Sequence, residues 1–153
     1  MANTYTQLHI QVVFAVKYRH SLIQNHWKDA LYKYLTAIIQ NNDHKVLQIN
    51  GIPYHVHILI GLRPTQALSD LMKQVKHDST VWINTKGLTT KRFSWQEGFG
   101  AFSYSKSHVP NVIKYIQNQE EHHKIKTFKE EYVNLLKEND VDYNEFYVFK
   151  EPE

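Results

Sequence analysis

NGIPYHVHILIGL, residues 50–62, decides how the chain is read. With HKVLQING (44–51) before it, the stretch reads as two strands joined tightly at Gly51-Ile52-Pro53. Side chains alternate across a strand. Tyr54, Val56, Ile58 and Ile60 therefore share an apolar face that should meet helices. His55 and His57 share the opposite face, with their imidazoles side by side and close enough to reach one metal ion. Alone, the pattern also fits two half-exposed histidines on a solvated sheet face.

Outward from this hairpin, the pattern changes period. Residues 5–16 read as a strand, with Leu8, Ile10, Val12 and Phe14 on one face and Gln7, His9 and Gln11 on the other. Residues 21–41 read as a helix with Trp27, Leu31, Tyr34, Leu35 and Ile38 at helical spacing. Residues 66–86 read as a second helix striped by Leu68, Leu71, Met72, Val75 and Trp82. RFSWQEGFGAFSYS (92–105) is strand-like, broken by Gly98 and Gly100. A third helix starts at about Pro110, where the missing N–H costs nothing, and a fourth covers about 127–138. The order strand, helix, strand, strand, helix, strand is the split β-α-β pattern. It predicts an α+β fold: a ferredoxin-like or RRM-like antiparallel sheet, helices on one face, C-terminal helices added. The other sheet face is expected to be free for a ligand or a second subunit. A single domain is expected over 1–153, with its core at about 5–126 and a C-terminal helix and tail at 127–153.

The 153 residues suffice for one domain with a real core. Cysteine is absent, which excludes a disulfide scaffold, a thiol nucleophile and thiolate metal sites. The opening MANTYTQLHIQ lacks the features of a signal peptide, and no apolar run approaches a membrane span. The expected location is the cytoplasm, with no membrane partner. A formal charge of +3 permits a polyanionic partner. Ten histidines, ten tyrosines, seven phenylalanines and three tryptophans add groups that bind metals or stack on unpaired bases.

A metal needs more than two ligands, and neither H-E-x-x-H nor D-x-D is present. Asp43 and Asp70 lack suitable spacing. His9 and His44 read as structural; His77, His108, His122 and His123 read as exposed helix residues. On a helical wheel for SKSHVPNVIKYIQNQEEHH (105–123), Val109, Val112, Ile113 and Ile116 form one side. Tyr115 and Gln119, at i and i+4, stack on one edge outside the core stripe. They read either as rim residues or as a phenol and an amide presented to one target.

PYHVHILIGL followed by NVIKYIQNQEEHH resembles the single-tyrosine HUH transposases of the smallest bacterial insertion sequences, the IS200-like transposases. The triplet is His55-Val56-His57, and FSWQEGFGAFSYSKS (93–107) also looks like that family. The likeness runs over about residues 5–140; Tyr54 stands where relatives often carry an acidic residue. The resemblance implies cutting and rejoining of single-stranded DNA at hairpin ends of a mobile element, without a nucleotide cofactor. It implies Tyr115 as nucleophile and His55, His57 and Gln119 as ligands of Mg²⁺ or Mn²⁺. It implies a homodimer in which the tyrosine helix often acts in trans.

The chemistry agrees. A phenol is a poor nucleophile at neutral pH, and a cation at the scissile phosphate would stabilise developing charge. Three neutral ligands would leave the ion its full charge; from the residues alone its identity stays open. Tyr104, ending the fourth strand, is the nearest rival to Tyr115. Tyr18 follows the first strand, and packing explains Tyr32 and Tyr34. Tyr132, Tyr143 and Tyr147 lie in an acidic stretch unfavourable beside phosphates. Lys17, Arg19, Lys73, Lys76, Lys91, Arg92, Lys106 and Lys114 are candidate phosphate contacts. Three other readings remain open: a domesticated relative acting on repeated palindromes, a non-catalytic module binding single-stranded nucleic acid, and a small metal-dependent enzyme unrelated to DNA.

Overall fold

The two histidines open β3 (His55–Gly61), an inner strand of a four-stranded antiparallel sheet. The computed structural model describes residues 3–20 and 22–144. The elements are β1 (His9–Ala15), α1 (Asn25–Asn41), β2 (Lys45–Ile52), β3, α2 (Leu68–Thr85), β4 (Gly100–Tyr104), α3 (Val109–Gln117), α4 (Gln119–His122) and α5 (Phe128–Glu138). Sheet order is β2-β3-β1-β4. This is the expected α+β, ferredoxin-like arrangement. Tyr147 lies outside the described residues, as does the side chain of Arg19.

Period-two alternation sorts the strands into two cores. Val12 and Phe14 of β1 and Val56, Ile58 and Ile60 of β3 pack beneath α1 and α2, against Trp27, Leu31, Leu35, Leu71 and Val75. Tyr34 of α1 stacks on Trp82 of α2 at 5.0 Å between ring centroids. Removing this many large side chains from water is the main stabilisation of the domain.

The second face is covered, contrary to expectation. Leu59 packs with Val109, Val112 and Ile116 of α3. Val13, Ala15 and Phe102 pack with Phe128, Leu135 and Leu136 of α5. The apolar stripes of these two helices need a surface, and the sheet supplies it. Tyr54 also departs from the reading: it lies in the turn before β3, and its ring meets Phe128 on the α5 side.

Only Gly100–Tyr104 of the strand-like stretch pairs as β4. Phe93 and Trp95 instead plug the core under α2, and Gly98, at φ +81°, turns the chain. At the β2–β3 turn, a Cβ on Gly51 would stand 2.1 Å from the backbone oxygen of His55. That close approach explains why glycine occupies the hairpin. No helix among the described residues is long and apolar enough to cross a membrane.

Candidate metal centre and nucleophile

β3 delivers both imidazoles to the face under α5. Their ring centroids are 5.0 Å apart, and both residues are 0% exposed. On β1, Val13 pairs with His57, and Gln11 sits two residues away on the same face. Gln11 is buried, with its amide nitrogen 2.8 Å from His57 Nδ1 and its carbonyl accepting from the Tyr104 hydroxyl at 3.0 Å. With Gln11 donating to Nδ1, the proton of His57 sits on Nε2 and points into the site.

Tyr115 comes from α3, whose Val109, Val112 and Ile116 seat it on the sheet. Its ring centroid is 5.9 Å from that of His57 and 4.7 Å from that of His122. The continuous helix expected through 109–123 is interrupted: α3 ends at Gln117, and Asn118 (φ −95°, ψ 21°) leads into α4. Asn50 of β2 donates to the carbonyls of Ile116 and Gln117 at 3.1 and 3.0 Å, satisfying oxygens at the break. Tyr115 and Gln119 therefore do not share one straight helix edge. Gln119 still arrives: it is 0% exposed, with its Oε1 3.0 Å from His55 Nε2.

The sequence reading missed the residue at the hub, Glu131 of α5. Its Oε1 accepts from His57 Nε2 at 3.0 Å and His123 Nε2 at 3.2 Å, and lies 3.5 Å from His55 Nε2. Its Oε2 accepts from Gln119 Nε2 at 3.1 Å and from the Tyr115 hydroxyl. His123, expected on an exposed surface, is thus part of the cluster, its side chain 8% exposed. The acidic C-terminal stretch, read as unfavourable beside phosphates, supplies the carboxylate. Phe128 stacks on His55 at 4.2 Å and closes the site from the α5 side.

The electrostatics follow from burial. Burial, reinforced by neighbouring His57, holds His55 well below its ordinary imidazole value. Burial alone would raise Glu131, but hydrogen bonds from His123 and His57 outweigh it and hold the carboxyl far below the usual range. Burial pushes the Tyr115 phenol up, and the charge of Glu131 pushes it further. As it stands, the site is a protonated phenol bound to a carboxylate.

His55, His57 and Glu131 present ligand atoms that all lie within 4.8 Å of one another. With each ring's proton moved to Nδ1, and the Gln11 amide turned to accept that of His57, two imidazole nitrogens, a carboxylate oxygen and the Gln119 amide oxygen fit a divalent cation. With Glu131 present, the donor set is not the wholly neutral one expected from His55, His57 and Gln119 alone.

The basic residues do not converge. Lys17, Lys73, Lys91, Arg92, Lys106 and Lys114 are exposed. Lys73 and Lys76 ride on α2, behind the sheet from the histidines. The Nζ of Lys76 donates to the carbonyl oxygens of Gln96 and Gly98, the former at 2.9 Å. Sheet register sets Lys17 near the His55 end and Lys106 beyond the opposite end, because Ala15 pairs with His55 and His9 with Tyr104.

Comparison with known proteins gives a consistent result. The family described as "Transposase IS200 like" matches residues 4–119. ISDra2 transposase TnpA of Deinococcus radiodurans is 28% identical over 118 residues, covering 74% of this chain and 84% of that protein. A solved transposase structure from D. radiodurans superposes with a TM-score of 0.64 at 22% identity, over 78% of this chain and 95% of that one. A REP-associated tyrosine transposase bound to a REP hairpin superposes with a TM-score of 0.61 at 14% identity, over 100% and 98%.

Proposed function

This chain belongs to the IS200-like transposase family, and from that premise we propose that it cuts and rejoins single-stranded DNA with Tyr115 as the nucleophile. His55, His57 and Gln119 would hold Mg²⁺ or Mn²⁺. The observation that carries the reading is convergence: the Tyr115 hydroxyl, both imidazoles and the Gln119 amide meet around one carboxylate. His55 and Gln119 are 64 positions apart in sequence yet touch through side-chain atoms. Structural needs alone do not demand so many buried polar side chains in one place.

When bound, a divalent ion would neutralise charge gathering on the scissile phosphate. The chain supplies position and proton control. β3 fixes the imidazoles, α3 aims the phenol, and Gln11 sets which nitrogen of His57 faces inward. As the bond from Tyr115 Oη to phosphorus forms, the P–O3′ bond breaks. The phenolic proton leaves, the 3′ oxygen takes one up, and a 5′-phosphotyrosine and a free 3′-OH result. Attack by a 3′-OH on that link rejoins strands, so no nucleotide cofactor is required. Within a single chain Tyr115, His55, His57 and Gln119 already meet; the homodimer implied by the resemblance, with the tyrosine helix in trans, would bring the same groups together across subunits. Exposed Lys17, Lys73, Arg92, Lys106 and Lys114 are the proposed phosphate contacts, and Lys76 holds its loop.

The test is a denaturing gel after incubation with hairpin-bearing single-stranded DNA and Mn²⁺. A covalent adduct that Tyr115→Phe abolishes is expected. Binding without an adduct favours a nucleic-acid-binding module, and metal-dependent activity on small molecules untouched by Tyr115→Phe favours an unrelated enzyme. Repeated palindromes as substrate, in place of element ends, separate a domesticated relative from a mobile one.

A further inference from the structure

The centre is shut. His55, His57 and Gln119 are 0% exposed and Glu131 is 3% exposed, so a phosphodiester inside a DNA strand has no path to them. Some element must move before a polymer can enter. The strands are poor candidates, since β3 is paired on both sides. α3 is also fixed: three apolar side chains seat it and Asn50 of β2 ties its end.

α5 is different. It is joined to the body through residues 124–127, all exposed. It packs on the sheet through Phe128, Leu135 and Leu136. A cleft of about 220 Å³, lined by Val13, Ala15, Gly98, Phe99, Tyr132 and Leu136 among others, runs along it. Glu131 is its one buried charge among the described residues. That carboxylate takes hydrogen bonds from Tyr115, Gln119, His57 and His123. A planar anion there fills the space between the Tyr115 hydroxyl and the ligand side chains, the place a scissile phosphate must take. It also stands against the nucleophile, accepting the Tyr115 hydroxyl's hydrogen bond in the place the scissile phosphate must reach.

The geometry points to α5 as a detachable cover over the centre, with Glu131 as its latch, a built-in stand-in for the substrate's phosphate that the DNA strand must displace. The identity of the displacing ligand rests on the strand-cutting reading; the opening of α5 does not.

Two measurements test this on the full chain, without divalent ions. First, diethyl pyrocarbonate modifies accessible histidines, read peptide by peptide by mass spectrometry. His44 is the internal reference, because it is buried elsewhere, on Gln66 and the Arg63 backbone. Leu135→Ala with Leu136→Ala loosens α5 without touching the centre. Modification of His55 and His57 should accelerate by about tenfold or more relative to His44, as local opening predicts. Modification of all three histidines in step, or no acceleration, overturns the cover.

Second, hydrogen exchange of the unaltered chain needs no variant to fold. α5 amides should exchange at least about tenfold faster than those of β1 and β3. They should exchange faster still when a hairpin-bearing single-stranded oligonucleotide is bound, as judged by gel shift. Equal exchange in α5 and the strands overturns the cover. Unchanged or increased α5 protection in the DNA-bound chain overturns the latch and leaves strand cutting standing. Opening of α5 in a chain that forms no tyrosine adduct leaves the cover standing and removes strand cutting.

Discussion

Glu131→Ala tests whether the carboxylate holds the centre together or merely sits in it. In the folded chain Glu131 accepts from Tyr115 Oη, Gln119 Nε2, His57 Nε2 and His123 Nε2. Truncation leaves four donors facing a void in a nearly sealed site, each costing ~1–3 kcal/mol if it stays unpaired. Water entering the space will recover part of this. Removing one member of a buried ionic network typically costs about 3–5 kcal/mol, and that is the expected loss. Tyr115→Phe deletes one hydrogen bond to a charged acceptor, nominally ~1.5–3 kcal/mol, but the ring is only half-buried, so ~1–2 kcal/mol is expected. Because the two groups share that bond, the double variant should lose less than the sum, by about 1–1.5 kcal/mol. Urea unfolding of all four proteins, without divalent ions, measures the cycle. The opposite balance is physically allowed, since burying a carboxylate is itself costly. A Glu131→Ala protein that is as stable as the parent, with coupling within ~0.3 kcal/mol of zero, would falsify the view of Glu131 as the hub.

Four further outcomes follow from the same geometry. Gly51→Ala sets a Cβ 2.1 Å from the His55 carbonyl oxygen, so the hairpin must shift by roughly 1 Å. Urea unfolding should show a loss of ~1–3 kcal/mol, and adduct yield should fall about 100-fold because the ligands are misplaced; parent-like yield contradicts the close-approach argument. Acidification should destabilise the chain. Folded His55 resists the proton that the unfolded chain takes near pH ~6.5, and folded Glu131 resists the one taken near ~4.3. Stability is therefore present above each unfolded value and lost below it, and a urea midpoint flat from pH 7 to 4 counts against it. Burial pushes Tyr132 up to about 12, so its contribution is intact below the unfolded value near ~10 and is lost as pH rises beyond. Tyr132→Phe should flatten that alkaline loss in thermal melts. Mn²⁺ at 100-fold over its Kd should stabilise the chain by about 2.7 kcal/mol, and His57→Ala should abolish the shift; an equal shift in the variant excludes His57 as a ligand.

What the sequence discloses here follows the range of the forces involved. The histidine pair was legible because strand alternation is local: two residues apart means the same face, whatever surrounds them. The α5 stripe was legible for the same reason, and Phe128, Leu135 and Leu136 do pack inward. The break at Asn118 had no local signal, because the Asn50 side chain that satisfies its carbonyls lies 66 positions from Ile116. Glu131 did have a signal. It falls three residues after Phe128 and four before Leu135, a charge inside an apolar stripe, where a charge is rarely buried unless paired. A second clue lay on β1 and β3. Gln11, His55 and His57 place three polar side chains on one sheet face, interleaved with Val13, Ala15 and Leu59. An apolar helix laid over that face would strand their N–H groups, each at a cost comparable to a lost hydrogen bond. Whatever covers these residues must bring an acceptor. Of the apolar stripes left for the task, only the C-terminal one carries a carboxylate at a core position, so the partner of the histidines was written into the helix that hides them.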